Sequence, residues 1–157
     1  MNIKSFLAKP YALLVHNRTR KDAAAAVAHQ EAIFQYLLKN ASKTIFGKDH
    51  HFADIKSHAE YIQAVPIRDY EAFEEYIEKI KTGQQNVLWK GKPMYFAKTS
   101  GTTSGAKYIP ISKDSIHNHI DTAKNALLCY MIESGNASFT DRKMIFLSGS
   151  PLLVRIG

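Results

Sequence analysis

The chain has 157 residues, enough for one ordinary domain that buries roughly 68–70% of its unfolded surface. Its apolar fraction of 45% and charged fraction of 22% are those of a globular protein, and its single cysteine, Cys129, excludes an internal disulfide framework. The net charge is +7, but the lysines are scattered from Lys4 to Lys143 and no basic run is interleaved with aromatics, which argues against nucleic-acid binding. The nearest basic cluster, Arg18-Thr19-Arg20-Lys21, can equally be the solvated start of a helix. No apolar run approaches the ~18 residues of a membrane span, and no cleavable apolar leader follows Met1, so the expectation is a cytoplasmic protein with no membrane partner.

From Ile3 to His16 the chain reads as weakly helical, interrupted at Pro10. Thr19-x-x-Asp22 has the form of a capping box, and Val27, Phe34, Leu37, Leu38, Ala41 and Ile45 then recur at helical spacing. This predicts one long, Ala-rich scaffold helix over residues 20–46, stopped by Gly47. His50, His51 and His58 invite a metal site, but no Cys or carboxylate spacing supports one, and they read as loop histidines. His117 and His119 stand two apart in a predicted helix and face different directions.

Asp69 is placed to cap a further helix with Tyr70, Phe73, Tyr76, Ile77 and Ile80 on its apolar face. Glu71, Glu74, Glu75 and Glu78 line its other side as a solvated surface, and Gly83 ends it. Residues 84–93 read as a loop carrying Trp89, which either covers the core or lines a ligand site. Ser112 caps a helix reaching about Ser134, with Ile116, Ile120, Ala123, Leu127 and Met131 as its buried stripe and Gly135 as its break. A polar turn follows over 136–141, and the apolar run 144–147 is the kind expected of a strand buried on both faces. Helices alternating with about three short strands argue for an α/β layer architecture.

The chemistry is concentrated in Thr99-Ser100-Gly101-Thr102-Thr103-Ser104-Gly105-Ala106-Lys107, between strand-like Tyr95-Phe96-Ala97-Lys98 and Tyr108-Ile109-Pro110-Ile111. Gly101 and Gly105 permit close backbone approach to a ligand, and backbone N–H groups in such a turn converge on an anion. The hydroxyls of Thr99, Ser100, Thr102, Thr103 and Ser104 add donors, and Lys107 adds a mobile point charge suited to phosphate. The spacing is not that of a Walker A loop: three residues separate the glycines, Ala106 precedes the lysine, and a strand rather than a helix follows. The loop would therefore act through its own donors, not a helix dipole. From composition alone an ordinary hairpin loop remains the alternative.

The segment 99–107 resembles the phosphate loop of the acyl-adenylate-forming superfamily, to which firefly luciferase and the acyl-CoA synthetases belong. The flanks narrow this. Val65-Pro66-Ile67, Tyr70, Tyr76-Ile77, Gly83, Asn86-Val87-Leu88-Trp89, Gly91, Pro93, Tyr95-Phe96-Ala97-Lys98 and Tyr108-Ile109-Pro110-Ile111 are similar to the auxin-responsive Gretchen Hagen family of acyl acid-amido synthetases. Ser104 and Ala106 stand where the wider superfamily commonly has Gly and Pro, and plant members have one more residue before the lysine.

The resemblance implies that residues 1–157 are the N-terminal part of a large α/β adenylate-forming domain, several helices around few strands with a Ser/Thr/Gly-rich hairpin loop, the rest of that domain and a smaller C-terminal domain being absent. It implies ATP and Mg²⁺ as the nucleotide and its metal, a carboxylic acid as substrate, and an amino acid or other amine as acceptor. It also implies ATP contacts at Thr99, Ser100, Gly101, Thr102, Thr103, Ser104, Gly105 and Lys107. It names no catalytic acid, base or acyl-pocket residue and no oligomeric state. The competing readings are a non-catalytic nucleotide- or phosphate-binding module and a helical interaction domain with an ordinary hairpin.

Overall fold

In a computed structural model the described residues are 3–99, 105–141, 143 and 145. They form six α-helices: α1 Ile3–Ala24, α2 Ala26–Ala41, α3 Ile45–Asp49, α4 His58–Ala64, α5 Glu74–Lys81 and α6 Lys113–Ser134. Two 3-10 turns, Glu71–Phe73 and Ser138–Asp141, accompany them, with strands β1 Tyr95–Lys98 and β2 Tyr108–Ile111. The strands pair antiparallel, so the expected α/β mixture is a mostly helical one with a two-stranded sheet. These residues divide into two compact units, one holding the residues up to His29 and from His117 onward, the other holding Gln30–Ile116.

In the first unit, α1 runs without interruption through Pro10, and Thr19 and Asp22 lie inside it rather than at a helix start. A helix-interior proline costs about 3 kcal/mol through its missing N–H and its clash with the preceding turn. Good helix formers on both sides and the burial of Ala12 and Val15 offset that cost. Ala12, Met131 and Ala137 are the buried cluster here, with Ala8, Leu128, Ile132 and Phe139 packed against it. The buried His16 places Nε2 2.5 Å from Glu133 Oε1.

Helix α6 ends as expected, with Gly135 at φ +66° just beyond Ser134. Of its predicted buried stripe, Met131 is buried, whereas Ile120, Ala123 and Leu127 are exposed. Helical spacing tells which residues share a face. It does not tell whether another element covers that face.

In the second unit the predicted long helix stops at Ala41, because the chain turns there and restarts as α3. The Thr44 hydroxyl donates to the Ala41 carbonyl at 2.7 Å and accepts from the Gly47 N–H at 2.9 Å. The two earlier N–H groups of α3, from Ile45 and Phe46, donate to the carbonyls of Asn86 and Val87 at 2.8 and 3.0 Å. The first three N–H groups of this short helix therefore all have partners, two of them supplied by a loop some forty residues away. Gly47 does not end a helix. It sits inside α3, where a Cβ would lie 2.0 Å from the Ala41 carbonyl oxygen, so only glycine allows this approach.

Leu38, Ala41, Phe46, Phe52 and Ile55 form the main buried cluster, and Ile77, Ile80 and Val87 the second. Phe73, Tyr76 and Leu88 pack against both. The apolar face predicted for α5 is thus the face it buries. Asp69 Oδ1 accepts from the Ala72 N–H at 3.1 Å, capping the 3-10 turn that leads into α5. At the other end, Gly83 at φ +92° and Gln84 donate back to the carbonyls of Ile80 and Lys79, the reverse-turn closure that glycine favours.

His50 ends α3 with its ring edge-on to Phe46, and His51 lies in the turn that follows, as expected of loop histidines; His58 instead opens α4. The buried strand expected over 144–147 is not met at Ile145, which lies in irregular backbone and is 88% exposed. A strand needs a neighbour to bond at least one of its edges, and burial on both faces needs layers on either side of the sheet. Among the described residues no strand stands beside it. Its companions Met144, Phe146 and Leu147 lie outside the described residues.

Candidate functional site

The hairpin expected from the sequence forms, with Tyr95 opposite Ile111, Phe96 opposite Pro110, Ala97 opposite Ile109 and Lys98 opposite Tyr108. One step beyond the last pair, the Thr99 N–H donates to the Lys107 carbonyl at 3.0 Å, and the Lys107 N–H donates to the Thr99 hydroxyl oxygen at 3.2 Å. Thr99 and Lys107, the first and last of the eight candidate residues, thus form the mouth from which the loop springs. Gly105 stands near it at φ +82°, exposed, and among the described residues no atom lies within 4 Å of where a Cβ would be. Ser100, Gly101, Thr102, Thr103 and Ser104 lie outside the described residues.

The Lys107 ammonium is 3.0 Å from Glu71 Oε1 and 5.1 Å from the centre of the Tyr70 ring. The Tyr70 hydroxyl oxygen accepts the Tyr108 N–H at 2.8 Å. Two adjacent residues at the start of α5's 3-10 turn therefore hold both the loop's closing lysine and the first residue of β2. A second cation repeats the arrangement nearby. Lys81 stands 4.9 Å from the Tyr108 ring centre and bonds Glu78 Oε1 at 2.5 Å, and that bond raises its pKa above the ordinary lysine value. The hairpin mouth is thus flanked by two lysines, each resting on a tyrosine ring and each facing a glutamate.

Sequence reasoning placed Tyr70 on the apolar face of α5 and Glu71 among solvated carboxylates. It missed that both reach the loop. The separation of 38 residues between Tyr70 and Tyr108 carries no periodic signal. The one usable sign was Tyr70 itself, already among the residues that carry the family likeness.

Trp89 both covers the core and lines a cleft. It packs against the cluster of Leu38, Ala41 and Phe46, and its indole N–H donates to Asp114 Oδ2 at 3.1 Å. Asp114 also pairs with the Lys90 ammonium at 3.1 Å, and the Trp89 bond followed by that of Lys90 holds its carboxyl below the ordinary aspartate range. A cleft of about 180 Å³ lies between this loop and Pro110, Ser112 and Ser115, at the opposite end of β2 from Lys107. Among the described residues, no group of three His, Cys, Asp or Glu side chains is placed to hold a metal ion, and no helix is long and apolar enough to cross a membrane.

The model of the GH3 family N-terminal domain matches residues 15–151, most of the chain and all of the hairpin. The chain belongs to the GH3 family, which includes the auxin-responsive Gretchen Hagen acyl acid-amido synthetases. Family membership points to an enzyme of the adenylate-forming ligase type, a class that generally uses ATP and Mg²⁺ and joins acids to amino acids. No curated protein matches the chain.

Proposed function

We propose that this chain supplies the phosphate-binding part of an ATP-dependent acyl acid-amido synthetase. The observation that carries the reading is the hairpin mouth: Thr99 and Lys107 are pinned to each other inside a segment matched by the family model. In this reading Thr99, Ser100, Thr102, Thr103 and Ser104 offer hydroxyls to the triphosphate, Gly101 and Gly105 let the backbone approach, and Lys107 supplies charge. The exposed Gly105 at φ +82° and the partly exposed Lys107 ammonium fit such a ligand. Mg²⁺ would arrive with ATP as its complex, neutralising phosphate charge.

The reaction follows from carboxylate chemistry. A carboxylate is a poor electrophile because its oxygen leaves badly. Attack of the acid's oxygen on the α-phosphate of ATP releases pyrophosphate and makes AMP the leaving group. The amine of an amino acid then forms the amide and expels AMP. The loop's part is orientation and electrostatic stabilisation of the polyphosphate. In the domain organisation proposed here, residues 1–157 are the opening part of the large adenylate-forming domain, and the acid and amine sites are built by residues beyond it.

Lys107→Ala tests this. Losing one charge-assisted hydrogen bond is worth roughly 1.5–3 kcal/mol, so ATP affinity of the full chain should fall about ten- to a hundredfold. Stability should fall by less than about 1 kcal/mol, since the pair with Glu71 is partly exposed. Lost stability with unchanged ATP affinity would leave the hairpin as an ordinary turn.

A further inference from the structure

We infer that Glu71 is a positioning residue of the phosphate site, setting nucleotide affinity by competing with polyphosphate for the Lys107 ammonium. This rests on the function proposed above and concerns a residue that the phosphate-loop likeness does not contain. The main chain of Lys107 is fixed on both sides: its carbonyl and N–H are bonded to Thr99, and the next N–H, of Tyr108, to the Tyr70 hydroxyl. The ammonium therefore changes partner only by rotation of its own side chain. In the structure that side chain lies toward Tyr70 and Glu71, 3.0 Å from the carboxylate.

Both charged side chains are partly open to water, 32% for Lys107 and 51% for Glu71, so the pair is weak and exchangeable. A lysine ammonium is a compact charge with three donors, and it can leave one carboxylate for a more highly charged phosphate. Until it leaves, its charge is neutralised, and the carboxylate beside the loop mouth repels an incoming anion. Both effects act in the same direction. Glu71 lowers the affinity of the site, and Tyr70 limits where the ammonium rests.

The test is a double-mutant cycle read by ATP binding to the full chain at low and high salt, using Glu71→Gln, Lys107→Met and the pair together. Glu71→Gln should tighten ATP binding about 1.5- to 5-fold at low salt, the range to which an exposed ion pair converts. The gain should shrink at high salt and largely vanish in the Lys107→Met background. Tighter binding is a result that loss of a merely structural contact would not produce.

Weaker binding in Glu71→Gln, or the same gain with and without Lys107, overturns the inference while leaving the phosphate site standing. If Lys107→Met leaves ATP affinity unchanged, the phosphate site itself fails and the inference falls with it.

Discussion

Gly47 shows how one residue can serve a purpose its type does not announce. Glycine after an apolar periodic run signals a helix stop, and here it is a contact. The start of α3 approaches the end of α2 so closely that a methyl group at position 47 would lie 2.0 Å from a backbone oxygen. Alanine is a better helix former than glycine by about 1 kcal/mol, so propensity alone predicts that Gly47→Ala stabilises. Overpacking against backbone costs about 1–3 kcal/mol or more, and this collision has no flexible side chain to yield. We expect a net loss of about 2 kcal/mol, measured by urea unfolding, with stabilisation as the outcome that would show α3 free to shift.

At the scale of elements, the loop over residues 84–93 matters more than its lack of regular structure suggests. It closes on itself through Asn86 and Gly91, whose N–H groups donate to the Gly91 carbonyl and the Asn86 side-chain oxygen respectively. It supplies two carbonyls to the start of α3, and through Trp89 and Lys90 it is tied to Asp114 in the first turn of α6. Ser112 and Ser115 cap that turn reciprocally, each N–H donating to the other's hydroxyl at 3.0 Å. The Ser112 cap was legible from its type and place. The Asp114 tie was not, since it joins residues 25 apart that share no repeat.

The pH dependence of this tie follows from the sign of the Asp114 shift. Its folded-state pKa is depressed, so the stabilisation is fully present above the unfolded value, about 4, and is lost as pH falls through the lower folded value. Trp89 is the only tryptophan, so its fluorescence reports the tie directly. Acidification from about pH 6 to about pH 2 should change the emission with a midpoint below about 4, and Asp114→Ala should remove that step. Helical circular dichroism recorded alongside separates local release from unfolding. A step that persists in Asp114→Ala would assign the acid response to another group.

For the whole molecule, the proposed domain organisation makes its own prediction. If residues 1–157 carry the phosphate loop while the acid and amine sites lie elsewhere in the domain, the purified 157-residue chain should show no carboxylate-dependent ATP–pyrophosphate exchange. The bond-making step needs both reactants positioned together, and in that organisation residues outside this segment would supply the positioning. Exchange above background by this chain would refute that organisation and show that the catalytic parts lie within these residues.

What the sequence determined by itself was local. Helix α5 with its apolar face and Gly83 closure, α6 between Ser112 and Gly135, and the hairpin framing the Ser/Thr/Gly-rich loop all follow from periodicity, caps and turn residues within a few positions of one another. The family was legible for a related reason: the loop and its flanks carry a pattern of residue types within one stretch of the chain, residues 65–111. Tertiary structure decided what distance along the chain conceals. It divided the helix expected over residues 20–46 among the end of α1, α2 and α3, with breaks at Ala25 and after Ala41, carried α1 through Pro10, and left the middle of the α6 stripe exposed. It also set Lys107 against Tyr70 and Glu71. Each of these depends on which surfaces meet in space, a packing energy summed over residues far apart in sequence, and no local spacing encodes that sum.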